Sequence, residues 1–158
     1  MVREHRVRAS RIRTAWLCLV GALALHVIDE ASTGFLAVYN PTVQVLRDQL
    51  GWFPMSEFRF EAWAGGLAVF VILLALLTPI VERGLRPVRV VTVAFACLMV
   101  LNGLAHIAGT IAGRTVASVR FERPMPGFWS SPVLIAAAVV FILRVLEGDR
   151  EHSHPLGA

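Results

Sequence analysis

His26-Val27-Ile28-Asp29-Glu30 closes an apolar run that begins at Ala15, and the reading of this stretch decides the fold. If the run from Ala15 is a membrane-spanning helix, one imidazole and two carboxylic acids lie inside the bilayer or at its outer edge. An unpaired charge there costs a few kcal/mol. His26 and Glu30 are four residues apart and His26 and Asp29 three, so all three project from one helical face. That face must look into protein.

The rest of the 158-residue chain supports a membrane setting. Hydrophobic residues make up 56% of it and its mean hydropathy is +0.66, a density of apolar stretches that argues for a polytopic membrane protein. All fifteen basic residues are arginine. They gather at the ends of apolar runs, where topology and anionic headgroups account for them, so the net charge of +4 does not point to nucleic acid. Cys18 and Cys97 fall inside apolar runs without C-x-x-C spacing and read as small buried hydrophobes. The polar residues after the first run stand where a signal-peptide cleavage site would need small ones, so that run reads as retained.

Four spans are expected, over about 15–34, 62–81, 90–112 and 128–146, giving an all-α fold. A basic cytoplasmic arm (1–14) precedes the transmembrane domain (15–147), and a flexible cytoplasmic tail (148–158) with His152 and His154 follows it. Cys18, Gly21 and Ala22, and Gly65-Gly66, form small-residue patches suited to close helix approach. Asn40-Pro41 reads as a stop. Beyond it Val43, Leu46, Leu50 and Phe53 recur at helical spacing, an amphipathic helix lying on the outer surface with Arg47 and Asp48 toward water. The arm, the 83–89 turn and the carboxyl end hold five, three and two arginines, and the two other loops two and three. That asymmetry places both termini in the cytoplasm.

Depth then brings the polar residues together. His26 sits roughly 16 Å up the first span and Glu30 roughly 22 Å; Asn102 sits roughly 18 Å up the third span and His106 roughly 24 Å. Thr110 continues that second stripe, and Glu61 and Trp63 enter from the outer end of the second span. Three readings compete for the set. One is helix glue, hydrogen bonds across helices worth about 1 kcal/mol each. Another is a metal site in which His26, Glu30 and His106 hold zinc or iron, with Asp29 or Asn102 orienting a ligand. The third is proton transfer to a lipid-soluble substrate without metal. His26, Asp29, Glu30 and His106 are the candidate catalytic residues, and Asn102, Glu61, Trp63 and Thr110 the candidate substrate-binding ones.

His26-Val27-Ile28-Asp29-Glu30, the Asn102-x-x-x-His106 pair and Pro126-Gly127 together resemble the HXXEE-domain family of small bacterial membrane proteins. Asp29 stands where the family name has a first Glu. The resemblance implies a four-helix membrane fold in a bacterial plasma membrane and picks out the same polar residues, without bringing an activity. The expected function is an enzyme acting on a lipid or other apolar small molecule by metal-assisted or acid–base chemistry. The alternative is a non-catalytic binder or transporter subunit for a lipophilic ligand or ion. Membrane lipid and an apolar ligand are the expected partners, nucleic acid is not, and a homo-oligomer is left open.

Overall fold

The computed structural model describes the backbone of residues 2–153 and the side chains of 9–147. The side chain of His152, and residue His154 with the end of the tail, lie outside the described residues. Six helices are present among those described: α1 (Val2–Thr33), α2 (Leu36–Leu50), α3 (Phe60–Leu76), α4 (Thr78–Glu82), α5 (Arg86–Ala112) and α6 (Ser131–Ser153). The only β pairing among them is an isolated bridge between Arg114 and Arg120. The fold is all-helical.

Two helical stretches, Ala9–Thr33 within α1 and Arg86–Ala112, are long and apolar enough to cross a membrane on length and composition; Phe60–Leu76 is a shorter apolar helix. The expected four are not reached on that measure. The outward faces of α1, α3, α5 and α6 are nevertheless apolar, with Ile28, Ile72, Leu101 and Leu143 among the large side chains exposed on them.

Two layers hold the helices together, both strung on α1. The first centres on Trp16, 1% exposed. Its ring lies 5.4 Å from Phe141 of α6 and 6.0 Å from Phe95 of α5. Its indole N–H donates to the Leu74 carbonyl of α3 at 3.0 Å, so one side chain touches three neighbouring helices. Leu19, Leu134 and Ala138 complete this layer at full burial. The second layer lies ten residues further along α1, about 15 Å away at the helical rise, and contains His26, Glu30 and His106. At the opposite end Arg13 pairs with Glu82 of α4 at 3.2 Å.

Several elements depart from the sequence reading, each for a physical reason. The second run is not one helix but α3 and α4, broken at Leu77. Pro79 has no N–H to offer the Ala75 carbonyl, and the Thr78 hydroxyl takes that carbonyl instead at 2.6 Å. Asn40-Pro41 does not stop a helix: α2 runs through it. An interior proline costs about 3 kcal/mol, and the two residues before it tie this turn to the 56–58 segment. Asn40 makes two hydrogen bonds to the backbone of Phe58, donating to its carbonyl at 3.0 Å and accepting its N–H at 3.1 Å. The Tyr39 hydroxyl donates to the Ser56 carbonyl. The basic arm is helical from Val2, continuous with α1, and the last helix starts at Ser131 rather than 128.

Cys18 and Cys97 are exposed, not buried. Their periodicity puts both thiols on outward faces, which in an apolar-surfaced protein sequence composition does not distinguish from the core. Gly21, Gly65 and Gly66 have open space where a Cβ would stand, so they mediate no close approach within the chain. Gly103 does: a Cβ there would lie 2.7 Å from Ile135 and 3.2 Å from the Ser131 carbonyl, fixing how near α5 and α6 come.

Replacing Trp16 with Phe keeps the apolar ring but removes the donor to Leu74. Stability should fall by about 1–2 kcal/mol, a drop of roughly 2–8 °C in Tm on thermal unfolding in mild detergent. An unchanged Tm would mean that this hydrogen bond contributes nothing to the α1–α3 junction.

Candidate functional site

The site begins at the end of α1. Gly34 adopts φ 79°, a left-handed conformation that a side chain would disfavour, and the Phe35 N–H reaches back to the Glu30 carbonyl at 3.0 Å. This is the helix-ending turn in which the second residue past the helix bonds to the fourth-last carbonyl. It swings Phe35 over the site, with its ring 5.8 Å from His106 and 5.7 Å from Trp63.

Below that ring, His26, Glu30 and His106 are 1%, 6% and 2% exposed. Glu30 Oε1 lies 3.1 Å from His106 Nε2 and 3.6 Å from His26 Nε2. The two imidazoles meet edge to face, with centroids 4.8 Å apart. α1 supplies two of the groups and α5 the third, as the matching depths required.

The hydrogen bonds around the rings fix where their protons sit. Asp29 Oδ2 accepts both the Ser130 backbone N–H at 2.9 Å and the Ser130 hydroxyl at 2.8 Å. With its proton directed at Asp29, the Ser130 oxygen accepts from His26 Nδ1–H at 2.8 Å. His26 Nε2 is then a lone pair, and the Asn102 amide donates to it at 3.0 Å. His106 Nδ1 bonds to the Pro126 carbonyl, which can only accept, so that nitrogen carries the proton. In the neutral ring His106 Nε2 is then also a lone pair. Both lone pairs face the Glu30 carboxylate, an arrangement of acceptors that calls for a shared positive charge, either a proton or a metal ion.

Asp29 itself sits at the amino-terminal end of α6, where the Ser130 N–H and the helix dipole favour an anion. This explains how a second acid is tolerated beside Glu30: it is half-buried and has partners of its own. The loop before α6 closes the remaining side. Gly127, at φ 85°, presents a bare Cα to the cluster; a Cβ would lie 2.8 Å from the His106 ring and 3.0 Å from Glu30 Cγ.

The other sequence-nominated residues divide. Asn102 joins the cluster. Thr110 stands behind it, donating to the His106 carbonyl at 2.8 Å and accepting the Met125 N–H at 3.0 Å, so it anchors the loop that carries Pro126 and Gly127. Trp63 is buried but separated from His106 by Phe35. Glu61 is exposed in the first turn of α3 and does not join the cluster: its depth is right, but its face of α3 turns outward. Ser130, Phe35, Gly127 and the Pro126 carbonyl were not nominated. Ser131-Pro132 carries a helix-start signal that would have placed Ser130 at the helix entrance; Pro126-Gly127 stands out in the sequence only through the family resemblance, which does not say that a carbonyl is what contributes. Comparison with known protein families, with curated proteins and with solved structures finds no match.

The hydrogen-bond directions are testable by ¹⁵N NMR of histidine-labelled protein. The neutral forms of His26 and His106 should both carry the proton on Nδ1. Gly127→Ala should perturb the His106 signals more than those of His26. Finding Nε2–H at His106 would overturn the assignment.

Proposed function

We propose that this chain is a four-span membrane protein with both termini in the cytoplasm, in which His26, Glu30 and His106 carry out chemistry on a lipid or other apolar small molecule. The observation that carries this reading is a buried set of two imidazoles and a carboxylate in a molecule whose outer helical faces are apolar. A site placed only to hold helices together needs no ionisable group, and apolar pairs would serve at lower cost. The aromatic cover of Phe35 and Trp63 over His106 suits an apolar molecule better than a hydrophilic one. The likeness to the HXXEE-domain family is consistent with the same fold and residues.

The apolar outward faces of α1, α3, α5 and α6 support the reading of four spans. Large contiguous apolar surface on a protein marks a lipid or protein interface, and here it lies on all four helices. α3 has 17 residues, about 25 Å at the helical rise, and α4 extends it toward the cytoplasmic side. The arginine asymmetry sets the orientation.

Topology is tested with single cysteines in a background where Cys18 and Cys97 are alanine. Residues 40–59 and 114–127 should be labelled by an impermeant reagent outside intact cells and residues 83–89 should not; the reverse pattern would invert the orientation. Function is tested with Glu30→Gln and native mass spectrometry of the purified protein. An enzyme variant should retain an apolar molecule in unconverted form, whereas wild type carries the converted one. Loss of the molecule from Glu30→Gln would instead favour a non-catalytic binder.

A further inference from the structure

We infer that His26, Glu30 and His106 form a binding site for one divalent first-row transition metal ion, of the zinc or iron(II) class. Metal binding here rests on the reading of these three residues as one working centre and deepens it by naming the cofactor.

Three independent features of the site carry this. The first is spacing. Bonds of about 2.0–2.1 Å from a tetrahedral metal put its ligand atoms about 3.3 Å from one another. The two Nε2-to-Oε1 distances, 3.1 and 3.6 Å, bracket that value, and all three ligand atoms fall within 4.8 Å of one another. Both edges to Glu30 thus match a bound ion as they stand, and the two imidazole atoms would close on it from a separation of at most 4.8 Å.

The second is the support behind each ring. A histidine that binds metal through one nitrogen donates the other N–H to a carboxylate, a backbone carbonyl or a water, which fixes the tautomer and raises its basicity. His106 uses the Pro126 carbonyl for this, and His26 uses Ser130, itself bonded to the Asp29 carboxylate. Both rings are thus turned so that Nε2 faces Glu30.

The third is donor chemistry. Two imidazoles and a carboxylate, with Cys18 and Cys97 exposed elsewhere, make a nitrogen and oxygen set without sulfur. It suits zinc with an open position or iron(II) on the two-histidine, one-carboxylate pattern, and is too rich in nitrogen for magnesium or calcium. The metal would replace the Asn102 hydrogen bond to His26 Nε2, so Asn102 competes with the ion rather than holding it.

The test uses the full chain in mild detergent, stripped with chelator and then loaded with Zn²⁺, Fe²⁺ or, as a spectroscopic probe, Co²⁺. One ion per chain is expected, with Co²⁺ giving the visible d–d bands of a low-coordinate nitrogen and oxygen site. His26→Ala and His106→Ala should each abolish stoichiometric loading. Because either variant could misfold, Ser130→Ala and Asp29→Asn, which leave all three ligands in place, should weaken affinity about 10- to 100-fold with helical content unchanged. Asn102→Ala should load as well as wild type or better. Wild-type protein that takes up less than a tenth of an ion per chain from all three metals would overturn the proposal, as would loading that survives the His26→Ala/His106→Ala double replacement. If metal is absent while Glu30→Gln still holds an unconverted apolar molecule, the catalytic reading stands and the metal falls. If metal binds and Glu30→Gln carries no such molecule, the reverse holds.

Discussion

The carboxyl group of Glu30, set between the Nε2 atoms of two imidazoles in an apolar interior, is the constraint the rest of the structure answers to. Its ionised form costs several kcal/mol to bury alone, and removing any one partner would leave an uncompensated group. So its surroundings converge from far apart in the chain. α1 brings His26 and Glu30, α5 brings His106 and Asn102, and the entrance to α6 brings Ser130. The loop before α6 contributes two backbone features, a carbonyl at Pro126 and a bare Cα at Gly127. Phe35 closes the top, placed there by the left-handed turn at Gly34 that ends α1.

α1 joins this polar layer to the aromatic one around Trp16, and the two layers do different work. Trp16 fixes the lateral arrangement: α3 through Leu74, α5 through Phe95 and α6 through Phe141. With those helices set, the position of His106 opposite Glu30 is largely determined, because α1 and α5 are stiff over the ten or so residues between the layers. The close approach at Gly103 acts in the same sense, drawing α6 onto α5 so that Ser130 reaches His26. Stability and site geometry are therefore coupled through helix packing.

How much of this was legible in the sequence follows from what a helix fixes and what it does not. Rise per residue is constant, so the i, i+4 pairing of His26 with Glu30 and the matching depth of His106 and Asn102 could be counted off residue by residue, and the structure brings those four together. Rotation about the helix axis is not fixed by rise. That is why Glu61, at an appropriate depth, turned outward, and why Cys18 and Cys97 were assigned to the interior. Pro41 and Pro79 depart from the sequence reading in opposite directions, because a proline's effect on a helix depends on its surroundings as well as on its missing N–H. At Pro79 the Thr78 hydroxyl takes the freed carbonyl and the helix breaks. At Pro41 the helix continues, and the two Asn40 bonds to Phe58, eighteen residues away, tie that turn to the chain before α3. The contributions of Pro126 and Gly127 come from a main-chain oxygen and an absent side chain, for which residue type carries little signal.

The two histidines, alike in burial, are not equivalent as chemical groups. His26 donates through Ser130 to an anionic carboxylate, and that chain pushes electron density toward its Nε2. His106 donates to a neutral carbonyl, which does so less. The Asp29 carboxylate behind Ser130 raises the basicity of His26 Nε2, but Asn102 occupies that nitrogen and Glu30 Oε1 lies nearer to His106. The His106 side is also where the packing is aromatic rather than polar, with Phe35 above the ring and Trp63 stacked behind it. The other approaches are filled by Asn102, Ser130 and the Gly127 backbone, all hydrogen-bonded or in van der Waals contact. The aromatic cover thus lies over the imidazole nearer to Glu30, while the polar partners gather around His26.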